Sequence, residues 1–241
     1  MISLLKVVPD PDSLILRSKN KKMKLTKTKL KKISDKLFLK ELSGESFLAT
    51  KKEIVYYQIT GDFLKVISVS SGRSIGTLYL NIYTNLITDP WCKIFSDYTI
   101  GNRFEYNPIT KNKWISENAE VNEVEDILKD MLSYIKVQGL NKLNEIHDYQ
   151  AYFVESYSVV NPKLFQLDLA ISMCKLGKFD KAFWICDDLL NYLKSDTFLD
   201  SSKKEGMIKN VLGLQNAADK NDVDKLLNEW KNQSLEYISK F

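Results

Sequence analysis

The chain has 241 residues, 44% of them apolar and 11% aromatic, with a formal net charge of +4. That composition supports a folded core, excludes a disordered chain, and offers no apolar window of the ~20 residues a membrane helix needs. The three cysteines, Cys92, Cys174 and Cys186, are odd in number and widely spaced, so they build no disulfide framework and point to a reducing, cytoplasmic compartment.

The first residues, Met1 to Pro9, lack a basic lead, a long apolar run and a small-residue cleavage site, and so do not read as a signal peptide. Charge then becomes uneven. Arg17 to Lys40 holds eleven Lys or Arg and one acid, Asp35, a local +10 that leaves −6 for the rest of the chain. Two readings compete. A basic segment beside an acidic body suits a nucleic acid, with Lys21, Lys22, Lys27 and Lys31 as the contacts. Alternatively, Leu30, Ile33 and Leu37 recur at helix spacing, which makes Lys27 to Lys40 an amphipathic helix with a solvated lysine face. Arginine forks and interleaved aromatics, the usual means of reading or stacking bases, are nearly lacking here. The solvated face is therefore the expectation.

Strand-like runs follow at Ser46 to Ala49, Glu53 to Thr60, Phe63 to Val69 and Thr77 to Tyr83. Phe63, Lys65, Ile67 and Val69 share one face of their run, and Leu78, Leu80 and Ile82 share one face of theirs. Gly61-Asp62 and Ser70 to Ser74 read as turns. Connections this short imply an antiparallel meander, with one face covered by flanking helices. Asn85 to Lys113 is the least regular stretch, with one short strand expected near Lys93 to Tyr98. Its aromatic and basic residues Trp91, Tyr98, Arg103 and Tyr106 are the candidate partner-binding set, because long connections on a rigid scaffold often carry binding. The competing reading is that Trp91 and Trp114 plug the ends of the sheet.

From Val121 the apolar period becomes helical: Val121, Val124, Leu128, Met131, Leu132 and Ile135 form a stripe, and Gly139 is expected to stop the helix. Short helices are expected over Leu140 to His147 and Asp148 to Tyr157. Asn161-Pro162 then supplies a cap and a first-turn proline. Beyond it lie Leu164 to Leu176, Lys178 to Leu193, Lys204 to Ala218 and Asp222 to Ser239, paired as α-hairpins. The expected fold class is thus α+β: an antiparallel β-meander covered by helices, followed by an all-helical C-terminal part of α-hairpins. The expected divisions are a basic segment at 1–24, an α+β domain at 25–160, and helical hairpins at 161–241 packed on it.

The segment Leu169 to Ala182 resembles the centre of a tetratricopeptide repeat. Ala170 and Ala182 fall where two helices cross closely, Gly177 falls at the turn, and Phe179 falls at the aromatic position. Gln166 and Lys194 depart from the pattern, and the pair around Asn221 diverges further. Residues 25–160 resemble the DUF4304-like family of bacterial proteins. The resemblance rests on a helix, then Ser46-Phe-Leu-Ala, the Tyr-Tyr-Gln of Tyr56 to Gln58, and the Leu-Tyr-Leu-Asn-Ile-Tyr of Leu78 to Tyr83. A helix then runs into Gly139-Leu140, with Leu143 and Ile146 after it. Similar domains occur beside polymorphic toxins as immunity proteins, so the resemblance implies a toxin domain as the protein partner.

Residues that carry chemistry are sparse. His147 is the one histidine, and a Ser-His-Asp or Cys-His site would have to use it. Zinc needs about four converging Cys or His ligands, which this spacing does not supply, so no metal and no cofactor are expected. Cys174 and Cys186 read as small core residues on facing helices. The nine glycines form no phosphate-cradling loop. Glu117, Glu120, Glu123, Glu125 and Asp126 gather at a helix N-terminus, where the helix dipole favours them. The function expected is a non-enzymatic protein-binding module. The alternative is a nucleic-acid-associated protein.

Overall fold

A computed structural model describes residues 25–71, 77–90, 102–104, 113–114, 120–158, 166–197 and 199–240. The chain opens with α1 (Lys27–Leu42), where the Thr26 hydroxyl accepts from the Lys29 amide at 3.3 Å and so caps the first turn. Strands β1 (Leu48–Ala49), β2 (Val55–Thr60), β3 (Phe63–Ser71) and β4 (Thr77–Leu86) follow in a meander, each antiparallel to the one before it. Gly61 opens the β2–β3 turn with φ +63°, the left-handed value that a two-residue hairpin asks of its first position. Short strands β5 (Asn102–Phe104) and β6 (Lys113–Trp114) both pair with β4, at positions where no strand was expected. The strand expected at 93–98, the turn at 72–74 and the Asn161-Pro162 cap lie outside the described residues.

Three expectations need correction. The buried ridge of α1 is Leu30, Ser34, Phe38 and Leu42, with Ile33 and Leu37 only partly covered along its edge. Ser34 hides this ridge from an apolar count because it is the polar member. Second, the sheet is covered on both faces. Tyr56, Ile67, Val69, Leu78, Leu80 and Ile82 pack with Leu30 and Phe38 of α1 and with Leu128 of α2 (Val121–Tyr134). Val55, Leu64, Val66 and Tyr83, on the opposite face, pack with Ile87 and with Ile238 from the end of the chain. A strand buried on both sides reads as a continuous apolar run, as Phe63 to Val69 nearly does.

Third, Gly139 does not end its helix. After α2 the backbone makes a π turn over Ile135–Gly139 and continues into α3 (Leu140–Glu145). Gly139 keeps ordinary helical geometry, with φ −63°. What it supplies is clearance: a Cβ there would stand 2.6 Å from Ile82 Cδ1. The glycine lets the helix lie directly on β4.

The rest is helical: α4 (Tyr149–Ser158), α5 (Gln166–Lys175), α6 (Phe179–Ser195), α7 (Ser201–Asp219) and α8 (Val223–Ile238). Gly177 (φ +69°) closes α5, with its N–H on Cys174 O and the Lys178 N–H on Met173 O. Asn221 (φ +58°) closes α7 with the same pair of bonds, to Ala218 O and from Asp222 to Ala217 O. Both are Schellman ends, one built on glycine and one on asparagine. The two hairpins α5–α6 and α7–α8 therefore turn alike although their sequences diverge. Their core, Leu169, Ile171, Leu189, Leu193, Val211, Leu214 and Trp230, runs onto the sheet through Phe63 and Leu86.

Candidate functional site

The lysines of α1 divide into two kinds. Lys27, Lys32, Lys36 and Lys40 face solvent. Lys31 does not. Its Nζ donates to both Asp35 oxygens, at 2.9 and 2.7 Å, and Tyr56 of the sheet donates to Asp35 Oδ1 at 3.0 Å. The single acid of the basic stretch is thus the polar bolt between α1 and β2, and Lys31 is its counter-ion. Burial, reinforced by Asp35, pushes the Tyr56 phenol far above its usual value, so it stays a donor. Lys21 and Lys22 lie outside the described residues.

Trp91, Tyr98 and Tyr106 also lie outside the described residues. Arg103 sits in β5, its backbone opposite Tyr83 of β4.

A surface aromatic that the sequence reading passed over stands on α6. The buried positions of α6 are Ala182, Ile185, Cys186, Leu189, Leu190 and Leu193. Trp184 falls off that stripe and is 71% exposed. On the helix surface its neighbours three and four positions away are Asp180, Lys181, Asp187 and Asp188. The helix beneath it is held on both flanks: Gln215 of α7 donates to Asp187 at 2.8 Å, and Gln166 of α5 donates to Asp188 at 2.7 Å. A large amphipathic ring displayed on a fixed helix is the geometry of an interface anchor. The signal that finds it is phase, since Trp184 is out of register with its own helix's apolar stripe.

The second feature is a polar seam between the sheet and the helices. At the β2–β3 turn, Asp62 accepts from Tyr149 of α4 at 2.7 Å and from Lys231 of α8 at 2.8 Å, and Lys231 also reaches Gly61 O at 3.0 Å. Burial pushes the Asp62 carboxyl up, and the bonds from Lys231 and Tyr149 more than offset it, leaving it below the ordinary value. Deeper in the seam, Asp168 of α5 accepts from Tyr152 of α4 at 2.9 Å and meets the carboxyl of Asp89, just past β4. Each of these aspartates is only 2% exposed. General acid–base chemistry requires contact with a substrate, and a pair this enclosed offers none.

His147 lies between α3 and α4, exposed, with Nδ1 2.8 Å from Glu145 O and Nε2 3.4 Å from Asp148. It borders a shallow groove lined by Glu145, Asp148, Gln150, Ala151, Val154 and Glu155. Three carboxylates there disfavour a phosphate ligand on that face. Cys174 and Cys186 are buried and unbridged. Burial pushes their thiols up to about 11 and about 12, far from the reactive range. Among the described residues no three His, Cys, Asp or Glu side chains gather as a metal site, and no helix is long and apolar enough to cross a membrane. Comparison with family models, curated proteins and solved structures found no match to this chain.

Proposed function

We propose that this protein is a non-enzymatic protein-binding module, and that its partner is a toxin domain which it neutralises as an immunity protein. The observation that carries the binding role is Trp184, 71% exposed on a helix braced by α5 and α7. Leaving so much aromatic surface in water forgoes burial energy that the same residue would gain at an interface. The resemblance of residues 25–160 to the DUF4304-like family supports the toxin as the class of partner. Aromatic anchors at interface centres carry a disproportionate share of binding energy, which suits tight neutralisation.

The test is protection. A candidate toxin domain encoded beside this gene in its native host is co-expressed with the protein, and growth is followed. The wild type restores growth and Trp184→Ala does not, although both accumulate to the same level. Equal protection by the two proteins contradicts Trp184 as the anchor. No protection by the wild type against any neighbouring toxin contradicts the immunity reading.

The nucleic-acid reading retains one supporting observation, the exposed row Lys32, Lys36 and Lys40 together with Lys27. The engagement of Lys31 with Asp35 removes one of its four proposed contacts.

A further inference from the structure

Taking Trp184 as the interface anchor, the reading on which this rests, we propose that the anchor receives an arginine of the protein partner. The guanidinium stacks on the indole ring and donates to Asp187 and Asp180. Trp184 is 71% exposed. At the helix-neighbour positions around it stand Asp180, Asp187 and Asp188, three carboxylates against the one ammonium of Lys181. Asp180 and Asp187 are exposed, and Asp188 is partly buried and bonded to Gln166 at 2.7 Å. The face of a tryptophan ring attracts cations, and carboxylates beside it add to that attraction. Of the two cationic side chains, arginine fits better. Its guanidinium is planar and weakly hydrated, so it stacks on a ring while its N–H fork reaches carboxylates. The ammonium of lysine is compact and strongly hydrated.

The face is set by the packing of α6 on α7. Gln215 donates to Asp187 Oδ1 at 2.8 Å and fixes that carboxylate, which has acceptor capacity for further N–H groups. A carboxylate already held costs less to order on binding. Lys204 reaches Lys194 O at 3.4 Å, so the two helices meet in reverse order along the chain and run antiparallel. Trp184 lies three residues before Asp187, and Leu212 lies three residues before Gln215. In antiparallel right-handed helices, equal steps back from a facing pair turn both side chains to the same outer surface, one on either side of the link. Leu212 is accordingly 49% exposed. The surface thus presents an indole, a carboxylate and an aliphatic side chain in turn, which fits an arginine with an apolar neighbour.

A second copy of this chain fits the face less well. Two α6 helices crossing antiparallel at Trp184 set Asp180 of each against Asp188 of the other. That like-charge contact opposes the attraction of Lys181 for Asp187 in the same pairing. A cationic partner meets no such conflict.

The experiment is an NMR titration of the full chain with N-acetyl-arginine amide at constant ionic strength. It follows the indole N–H of Trp184, assigned by its loss in Trp184→Phe. N-acetyl-citrulline amide, equal in length and uncharged, is the comparison. The arginine amide is expected to shift the signal saturably and to bind about fivefold more tightly than the citrulline amide. Asp180→Asn combined with Asp187→Asn keeps the ring and an acceptor for Gln215, and is expected to cut that preference to about twofold. Equal affinity for the two amides in wild type, or a preference that the combined variant retains in full, overturns the proposal. A Trp184 signal that moves on dilution of the protein alone assigns the face to a second copy and also overturns it. The toxin affinity of Trp184→Ala judges the anchor separately. Weaker toxin binding by Trp184→Ala, with equal affinity for the two amides, keeps the anchor and removes the arginine. An arginine preference with toxin binding unchanged keeps the arginine site and removes the toxin from it.

Discussion

Asp35 and Tyr56 are joined by a 3.0 Å hydrogen bond that crosses from α1 to the core of the sheet. Asp35 is the only acid between Arg17 and Lys40, and Tyr56 is fully buried. The bond gives α1 a fixed seat, since the phenol cannot find another partner without leaving the core. Tyr56→Phe removes the donor and leaves Asp35 with Lys31 alone. It is expected to cost about 1–3 kcal/mol in urea unfolding, as for a hydrogen bond to a charged group. No loss of stability would show that the Lys31–Asp35 pair seats the helix unaided.

The same triad separates structural from electrostatic lysines. Lys31→Gln is expected to lower the unfolding midpoint, whereas Lys27→Gln, at an exposed position, leaves it unchanged. The four-fold Gln variant at Lys21, Lys22, Lys27 and Lys31 tests the nucleic-acid reading. Duplex binding through four contacts would show a log–log salt slope of about −3.6 and lose it in the variant. The expected result is weak binding with no slope attributable to these residues. A steep slope that the variant abolishes would favour the nucleic-acid function.

Gly139 and Ile82 should behave as a coupled pair. Gly139→Ala places a methyl 2.6 Å from Ile82 Cδ1, in a core where Ile82 is 2% exposed. Overpacking of this kind costs about 1–3 kcal/mol, against roughly 1 kcal/mol gained from alanine's helix propensity. The single variant is therefore expected to lose stability. Ile82→Val deletes Cδ1, and in that background Gly139→Ala should be neutral or stabilising. A double-mutant cycle with no coupling would mean that the helix does not need the glycine for clearance.

Asp62 contributes to the acid limb of stability. Its folded carboxyl lies below the ordinary value, so its contribution is present above about pH 4 and is lost as pH falls through the folded value. Asp62→Asn is expected to destabilise at pH 7 and to flatten the decline of the thermal midpoint below pH 4. An unchanged acid limb would assign that decline to other carboxylates.

The architecture was legible wherever local pattern decides structure. The alternation of Leu78, Leu80 and Ile82 placed β4, and Gly177 and Asn221 marked the two helix ends that the backbone closes. What escaped depends on contacts far apart in sequence. Gly139 reads as a stop because glycine commonly ends helices, and only the approach of Ile82 from β4 reveals its packing role. Asp89 and Asp168 are ordinary acids in the sequence, and folding makes them a buried pair. Trp184 was legible in principle from the phase of α6, but a tryptophan between Phe183 and Ile185 is readily assigned to the core. The connection carrying Trp91, Tyr98 and Tyr106 drew attention instead, because loops of that length often carry function.

The central claim is that a protein partner docks on Trp184, and the most direct measurement is the affinity of that partner by titration calorimetry. The partner used is the toxin domain recovered in the protection assay. Trp184→Ala is expected to weaken binding at least ~30-fold, the loss of about 2 kcal/mol that defines an anchor residue. Its unfolding midpoint should match wild type, because the ring contributes little to the fold at 71% exposure. Trp184→Phe should recover part of the affinity. Binding by Trp184→Ala within twofold of wild type, with folding intact, would contradict the account.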